Sequence, residues 1–262
     1  MFVDNPWLLA TLLGMAAALH SAVGLAGGSS FTALLGLFGL PVHIVPGISL
    51  SLNTLSSSIA SFRYIRSGHF RLPLLLPCLL GAMPSAYLCA QIQLTATVFY
   101  FLLGATLALI SLRLLCSSPL AHSSEATAPA MIIRPMQWWC LGIIIGLMLG
   151  ALSGLLGIGG GVLLVPLLIF LGVANAKQAA ACGVVFILCN SLMGLLGKWQ
   201  AGWLAFDLIL PFIIMVTLGA ALGSYLGAKR LAPHQMHRIL GIVLAVAAVL
   251  LIQKGRSYGY VQ

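Results

Sequence analysis

The sequence predicts an all-α fold: a polytopic transmembrane helical bundle built from two homologous halves, with about eight full spans and two short glycine-initiated half-helices. Three observations carry this. The 262 residues are 61% hydrophobic and 6% charged, with a mean hydropathy of +1.13, where an ordinary soluble domain is about 25% charged. Apolar runs recur at the length of about 20 residues that a bilayer core demands. The two halves of the chain also repeat one another in order.

In chain order, full spans are expected near 7–26, 41–62, 72–91, 95–115, 136–156, 175–197, 205–228 and 236–253. The N-terminus, MFVDNPW, lacks the basic region that precedes a cleavable signal, so the first apolar segment is read as a span. Ser29–Leu40 and Val162–Gly172 are left over. At 1.5 Å per residue each is about 16–18 Å long, too short to cross, and each follows a glycine-rich break. Residues 117–135, SSPLAHSSEATAPAMIIRP, read as a linker between a first repeat, 1–116, and a second, 136–262.

Laid over one another, GLAGGSSFTALLGLFGL from Gly24 matches GIGGGVLLVPLLIFLGV from Gly157 at an offset of 133. Gly27 then matches Gly160, Gly28 matches Gly161 and Gly39 matches Gly172. Asn53 matches Asn190 at 137, and Tyr87 matches Tyr225 at 138. Duplication with a broken helix at corresponding places in both halves is the sequence signature of a secondary transporter whose site lies between the repeats. If each half crosses five times, the repeats are inverted. Nine cations (Arg63, Arg66, Arg71, Arg113, Arg134, Lys177, Lys229, Arg230, Arg238) then lie inside and three (Lys198, Lys254, Arg256) outside. If the short segments dip and return, the division is eight to four, so the positive-inside rule leans towards inversion.

The breaks themselves suggest a ligand. Glycine in a helix costs about 1 kcal/mol relative to alanine, and irregular backbone at membrane depth is tolerated only beside protein or a water-filled cavity. Gly159, Gly160 and Gly161 would open a half-helix whose free N–H groups suit an anion. Gly27, Gly28, Ser29 and Ser30 would do the same in the first half, with hydroxyls in place of the third glycine. Ser49, Asn53 and Ser56 fall at i, i+4 and i+7, a polar stripe on one helix face. Asn53 and Asn190 are expected either to donate to an oxyanion or to bridge helices. His20, with an ordinary pKa near about 6.5, is expected to bind the anion, carry a proton, or sit neutral on a helix carbonyl.

Other small-residue series have a packing explanation. Gly142, Gly146, Gly150 and Gly154, then Gly219, Gly223 and Gly227, then Ala10, Gly14, Ala18, Ala22 and Ala26 recur every four residues, the spacing that lets helices approach closely in lipid. Six cysteines form no CxxC and no Cys/His cluster. Nothing places a metal, a nucleotide or a covalent cofactor, and no catalytic residue is assigned.

Charge narrows the substrate. Only Asp4, Glu125 and Asp207 are acidic, against twelve Lys and Arg. The excess is read as cytoplasmic flanking charge and not as a nucleic-acid surface. Cation pumps and many proton-coupled carriers use intramembrane carboxylates, which this chain nearly lacks, so a small anion is the expected cargo. A passive anion channel is the alternative. An intramembrane serine protease is a weak one, because Ala151 stands where glycine would complete G-x-S-G before Ser153.

The paired breaks, above all GLLGIGGGVLLVPLLIFLG at 154–172 followed by Asn190 and a G-x-W near Gly202, resemble the TauE/SafE family of membrane permeases, the sulfite exporter family. The first half departs from the family pattern at Ala26, Ser29 and Ala33. The resemblance spans nearly the whole chain. It implies a permease in the bacterial inner membrane for sulfite, thiosulfate, sulfoacetate or another sulfur-containing anion. The expected partners are that anion, the bilayer and, in one arrangement, a second copy in a homodimer.

Overall fold

A computed structural model describes residues 5–22, 26–66, 68–116, 135–229 and 233–259. Gly24, the linker over 117–134 with Glu125, Asp4, and the side chains of Asp207 and Tyr225 lie outside the described residues. Within them there are ten helices and no strand: α1 (Pro6–Ala22), α2 (Gly28–Leu37), α3 (Val45–Arg66), α4 (Leu72–Ala90), α5 (Ala96–Cys116), α6 (Pro135–Leu156), α7 (Gly161–Phe170), α8 (Ala176–Gln200), α9 (Phe206–Lys229) and α10 (Pro233–Gly259).

The two short helices have 10 residues each and end sooner than the apolar runs suggest. The reason is chemical. Gly39 and Gly172 take φ of 81° and 66°, and the next amides fold back, Leu40 N to Leu35 O at 3.3 Å and Val173 N to Leu168 O at 3.1 Å. This closing pattern turns the chain out of the helix at a residue without a Cβ. At the head of α8, Asn175 and Gln178 form a reciprocal capping box, which satisfies two amides that would otherwise be orphaned.

Five helices are long and apolar enough to cross a membrane: Leu72–Ala90, Ala96–Cys116, Met136–Leu156, Ala176–Gln200 and Arg238–Tyr258. α1 has 17 residues, one short of that measure. α3 has 22 residues but is diluted by Ser49, Asn53, Ser56, Ser57 and Ser61, every one of them buried. Its outer positions Phe62 and Ile65, like Leu80, Leu112, Met148, Phe170, Leu218 and Val246 elsewhere, are exposed. Polar side chains inside and large apolar ones outside are the distribution of a bundle solvated by lipid.

Helices pair in a pattern that survives exchange of the halves. α4 packs along α6 and α9 along α1; α2 lies on α3 and α7 on α8; α3 meets α9 and α8 meets α4; α10 touches α2 and α5 touches α7. The remaining large contacts, α3 with α8 and α5 with α10, pair each helix with its own counterpart. Both counterpart pairs run antiparallel. Asn53 lies at Ser191 while Leu50 lies at Gly194, and Ser111 bonds Gly241 O while Tyr100 packs on Gly255.

Small residues make the tight seams. Gly146, Gly150 and Gly154 sit against the carbonyls of Cys78, Ala82 and Ala86 on α4, and Gly219 and Gly223 against those of Gly14 and Ala18 on α1. A side chain at these places would drive into backbone. In lipid, where apolar burial gives no advantage over the solvent, such close approach supplies the cohesion.

Candidate functional site

Both half-helices begin inside the bundle. Gly27 (φ 76°) precedes α2 and Gly160 (φ 71°) precedes α7, and neither end carries a side-chain cap. These left-handed conformations are ones that glycine adopts without steric cost. Gly28, Ser29, Ser30 and Gly161 are buried. Gly161 N donates back to Gly159 O at 2.9 Å and Leu163 N to Gly160 O at 3.2 Å; the other first-turn N–H groups have no acceptor within their helix, and each break turns the positive end of a helix dipole to the interior.

The two breaks meet where α3 crosses α8. Ile158 O and the Asn53 amide both lie so close to Gly28 that an added Cβ would stand 2.5 Å from the first and 2.8 Å from Asn53 Nδ2. The same amide presses on Gly159, which also adjoins Ile187 and Ser191. Asn53 Nδ2 donates to Ser191 Oγ at 2.9 Å. One turn earlier, Ser49 Oγ lies 3.2 Å from Gly28 O and 2.9 Å from Gly157 O, one carbonyl from each break. Thr32 Oγ1 donates to Ser49 Oγ at 2.8 Å and lies 3.0 Å from Gly28 O. Ser56 Oγ donates to Ala26 O at 2.8 Å. All three members of the polar stripe on α3 therefore serve the breaks.

Asn190 precedes Ser191 on α8 and is wholly buried, yet neither of its amide atoms has a hydrogen-bond partner among the described residues. Ser29 Oγ, Ser30 Oγ, Asn53 Oδ1, Ser21 Oγ, Ser61 Oγ and Ser153 Oγ are in the same condition. A buried polar group left unpaired costs about 1–3 kcal/mol, and Ser29, Ser30 and Asn53 among these stand on α2 and α3, the helices that follow the first break. His20 Nδ1 donates to Ala16 O at 2.9 Å, the neutral histidine arrangement, while its Nε2 stays unpartnered. Ser153, its counterpart in the repeat, has no base within hydrogen-bond reach among the described residues.

Sequence reasoning passed over three residues here. Thr32 lies one turn into α2 from Gly28, and Ser191 directly follows the flagged asparagine; a hydroxyl next to either feature was the available signal. Lys198 is counted among the outside cations, one residue past the expected span 175–197. It belongs to α8, is 2% exposed, and its ammonium lies 4.6 Å from the centre of the Trp203 ring. Lys254 is half-buried and caps α2, donating to Gly36 O at 2.8 Å and Leu37 O at 3.3 Å. His43 is exposed in the turn before α3, and Cys182 Sγ donates to Arg71 O at the far end of α8.

A probable membrane transporter protein, y4hK, of Sinorhizobium fredii is 28% identical over 234 residues, 89% of this chain and 92% of that protein. The probable membrane transporter protein YjnA of Bacillus subtilis is 36% identical over 117 residues, 42% of this chain and 45% of its own. The sulfite exporter TauE/SafE family protein 1 of Arabidopsis thaliana is 27% identical over 174 residues, 63% of this chain and 36% of that longer protein. No solved structure matches. The family model described as sulfite exporter TauE/SafE matches residues 8–251, which include both breaks and every residue of the site, and the chain belongs to that family of multi-pass membrane transporters.

Proposed function

We propose that this chain is a permease that moves a small sulfur-containing anion, such as sulfite, thiosulfate, sulfoacetate or another organosulfonate, across the bacterial cytoplasmic membrane by alternating access. The observation that carries the reading is the convergence of two uncapped half-helix N-termini on one crossing, among buried neutral polar groups that lack partners. Such ends attract anions. Backbone N–H groups at Gly27 to Ser30 and at Gly159 and Gly160 hold the oxyanion in this account, with Gly161 opening α7 beside it. The Asn190 amide and the Ser29 and Ser30 hydroxyls are its side-chain donors, joined by His20 when Nε2 takes up a proton, with Asn53 and Ser49 fixing the breaks around it.

The halves, 1–116 and 136–262, are the moving parts, joined by the linker over 117–135. The contact pattern that survives their exchange, with α3 antiparallel to α8 and α5 antiparallel to α10, supports an inverted repeat. On this topology each half crosses five times, four times by a full helix and once by a half-helix with its break. The basic end, with Arg63, Arg66, Arg71, Arg113 and Lys177, faces the cytoplasm, and Lys198 and Lys254 face outward.

The test is a flux and binding screen of the purified, reconstituted protein against sulfite, thiosulfate, sulfoacetate, taurine, sulfate and chloride. Saturable, concentrative movement of a sulfur anion is expected. If no sulfur anion binds or moves under any gradient while a cation or neutral solute does, the substrate class is wrong. Rapid, purely dissipative flux would instead mark a channel.

A further inference from the structure

Neutral oxygen atoms gather where the two breaks cross, and one of them has no donor among the described residues. Gly28 O, Gly157 O and Ser49 Oγ are all acceptors within 2.8–3.2 Å of a hydroxyl in this knot. Asn53 Oδ1, one turn further along α3 with its amide against Gly28, is buried and has no partner among the described residues. Gly28 O also takes the helical Thr32 N–H, so the Thr32 and Ser49 hydroxyls serve three oxygens, and Asn53 Oδ1 is left without a donor among the described residues. Every ligand atom is a neutral oxygen, two from unwound or helix-opening backbone and the rest from side chains. Among the described residues no group of three His, Cys, Asp or Glu gathers that would suit a transition metal or a divalent ion.

We infer that this knot is a binding site for a monovalent alkali cation of sodium size, held by Gly28 O, Gly157 O, Ser49 Oγ, Thr32 Oγ1 and Asn53 Oδ1. Carbonyls of unwound helix segments and nearby hydroxyls are suited to such an ion. Thr32 directs its proton to Gly28 O or Ser49 Oγ and Ser49 directs its own to Gly28 O or Gly157 O, and each hydroxyl oxygen keeps a lone pair to aim at the ion. Because Gly28 O belongs to one half and Gly157 O to the other, the ion would tie the breaks together. It would also offset the charge of an anion bound at the adjoining helix ends, so that cation and anion bind better together than apart. That last consequence, a cation-coupled permease, rests on the anion reading; the cation site itself does not.

The experiment measures thermal unfolding of the purified protein in detergent, without any anion substrate, in sodium, potassium and N-methylglucamine salts at equal ionic strength. A saturable rise in the midpoint with sodium, absent with N-methylglucamine, is expected. Ser49→Ala and Thr32→Val should each raise the half-saturating sodium concentration about tenfold, with Thr32→Ser restoring it. No ion-specific shift in the wild-type protein overturns the site, as does a sodium shift that neither substitution weakens. Should Ser49→Ala fail to fold, Thr32→Val and Thr32→Ser decide the matter. Anion flux that ignores sodium, with no sodium-dependent midpoint, sinks this inference and spares the permease; sodium binding without any anion flux does the reverse.

Discussion

Asn53 on α3 donates its Nδ2 hydrogen to Ser191 Oγ on α8 across 2.9 Å, joining the two halves at the level where both half-helices begin. Such a bond in a membrane interior contributes on average about 0.6 kcal/mol and at most about 1.7. Asn53→Ala and Ser191→Ala should therefore couple by about 0.6–1.7 kcal/mol in a double-mutant cycle read by unfolding in detergent. Strict additivity would mean that the contact contributes nothing.

Asn190 behaves differently because its amide has no hydrogen-bond partner among the described residues. Asn190→Ala should leave the unfolding midpoint unchanged or slightly raised, since it removes a buried unpaired group. Affinity for the transported anion should fall by about 1–3 kcal/mol, roughly 5–150-fold. Equilibrium binding by isothermal titration measures it. Unchanged affinity would make Asn190 a packing residue.

The glycine seams predict a graded series. At Gly150 an added Cβ meets Ala82 O and Ser85 Oγ, one of them backbone, whereas at Gly142 it first meets the Pro77 side chain at 2.8 Å. Gly150→Ala should cost about 1–3 kcal/mol of overpacking, and Gly142→Ala less. Thermal midpoints of the two variants side by side give the order, and the reverse order would refute the packing account of the α4–α6 seam.

Lys254 holds the outer end of α2 through two carbonyls and stacks on Tyr100, 5.4 Å from the ring centre. Lys254→Met removes hydrogen bonds to a charged group, a loss of about 1.5–3 kcal/mol. Amide exchange should accelerate at Phe38 to Leu40 before it does at the corresponding end of α7. Uniform acceleration across both ends would contradict a local role.

Opposite ends of the bundle should be chemically distinguishable. Arg66 is exposed near the end of α3 and Trp199 near the end of α8, and these helices run antiparallel. In a cysteine-free background, Arg66→Cys should react with an impermeant thiol reagent only from the cytoplasmic side and Trp199→Cys only from the outside. Labelling of both from one side would exclude the inverted arrangement.

Much of the fold was legible because lipid reverses the usual rule for side chains and so makes helix length and small-residue spacing visible in the chain itself. Each expected segment falls on one of the ten helices, and five of these, among the described residues, are long and apolar enough to cross a membrane. Helix ends slipped at Gly39 and Gly172, where a single backbone conformation, and not hydropathy, stops the helix. α3 read as an apolar span from its length, although five buried polar residues lower its hydropathy. The site was half legible: glycines and asparagines stand out in an apolar run, but Thr32 and Ser191 look like ordinary helical hydroxyls until a partner from the other half is brought to them.

By itself the sequence determined that this is an all-helical membrane protein, duplicated, broken twice, poor in intramembrane acid and therefore furnished for something other than carboxylate chemistry. Composition and repetition are properties of the chain alone. Tertiary structure decided which polar groups face each other. Ser49 and Gly157 are 108 residues apart and Asn53 and Ser191 are 138 apart, and no local period encodes such pairs. They exist because two small-residue seams pull α4 onto α6 and α1 onto α9, leaving α3 and α8 to cross at the one depth where both chains have let go of their own hydrogen bonds.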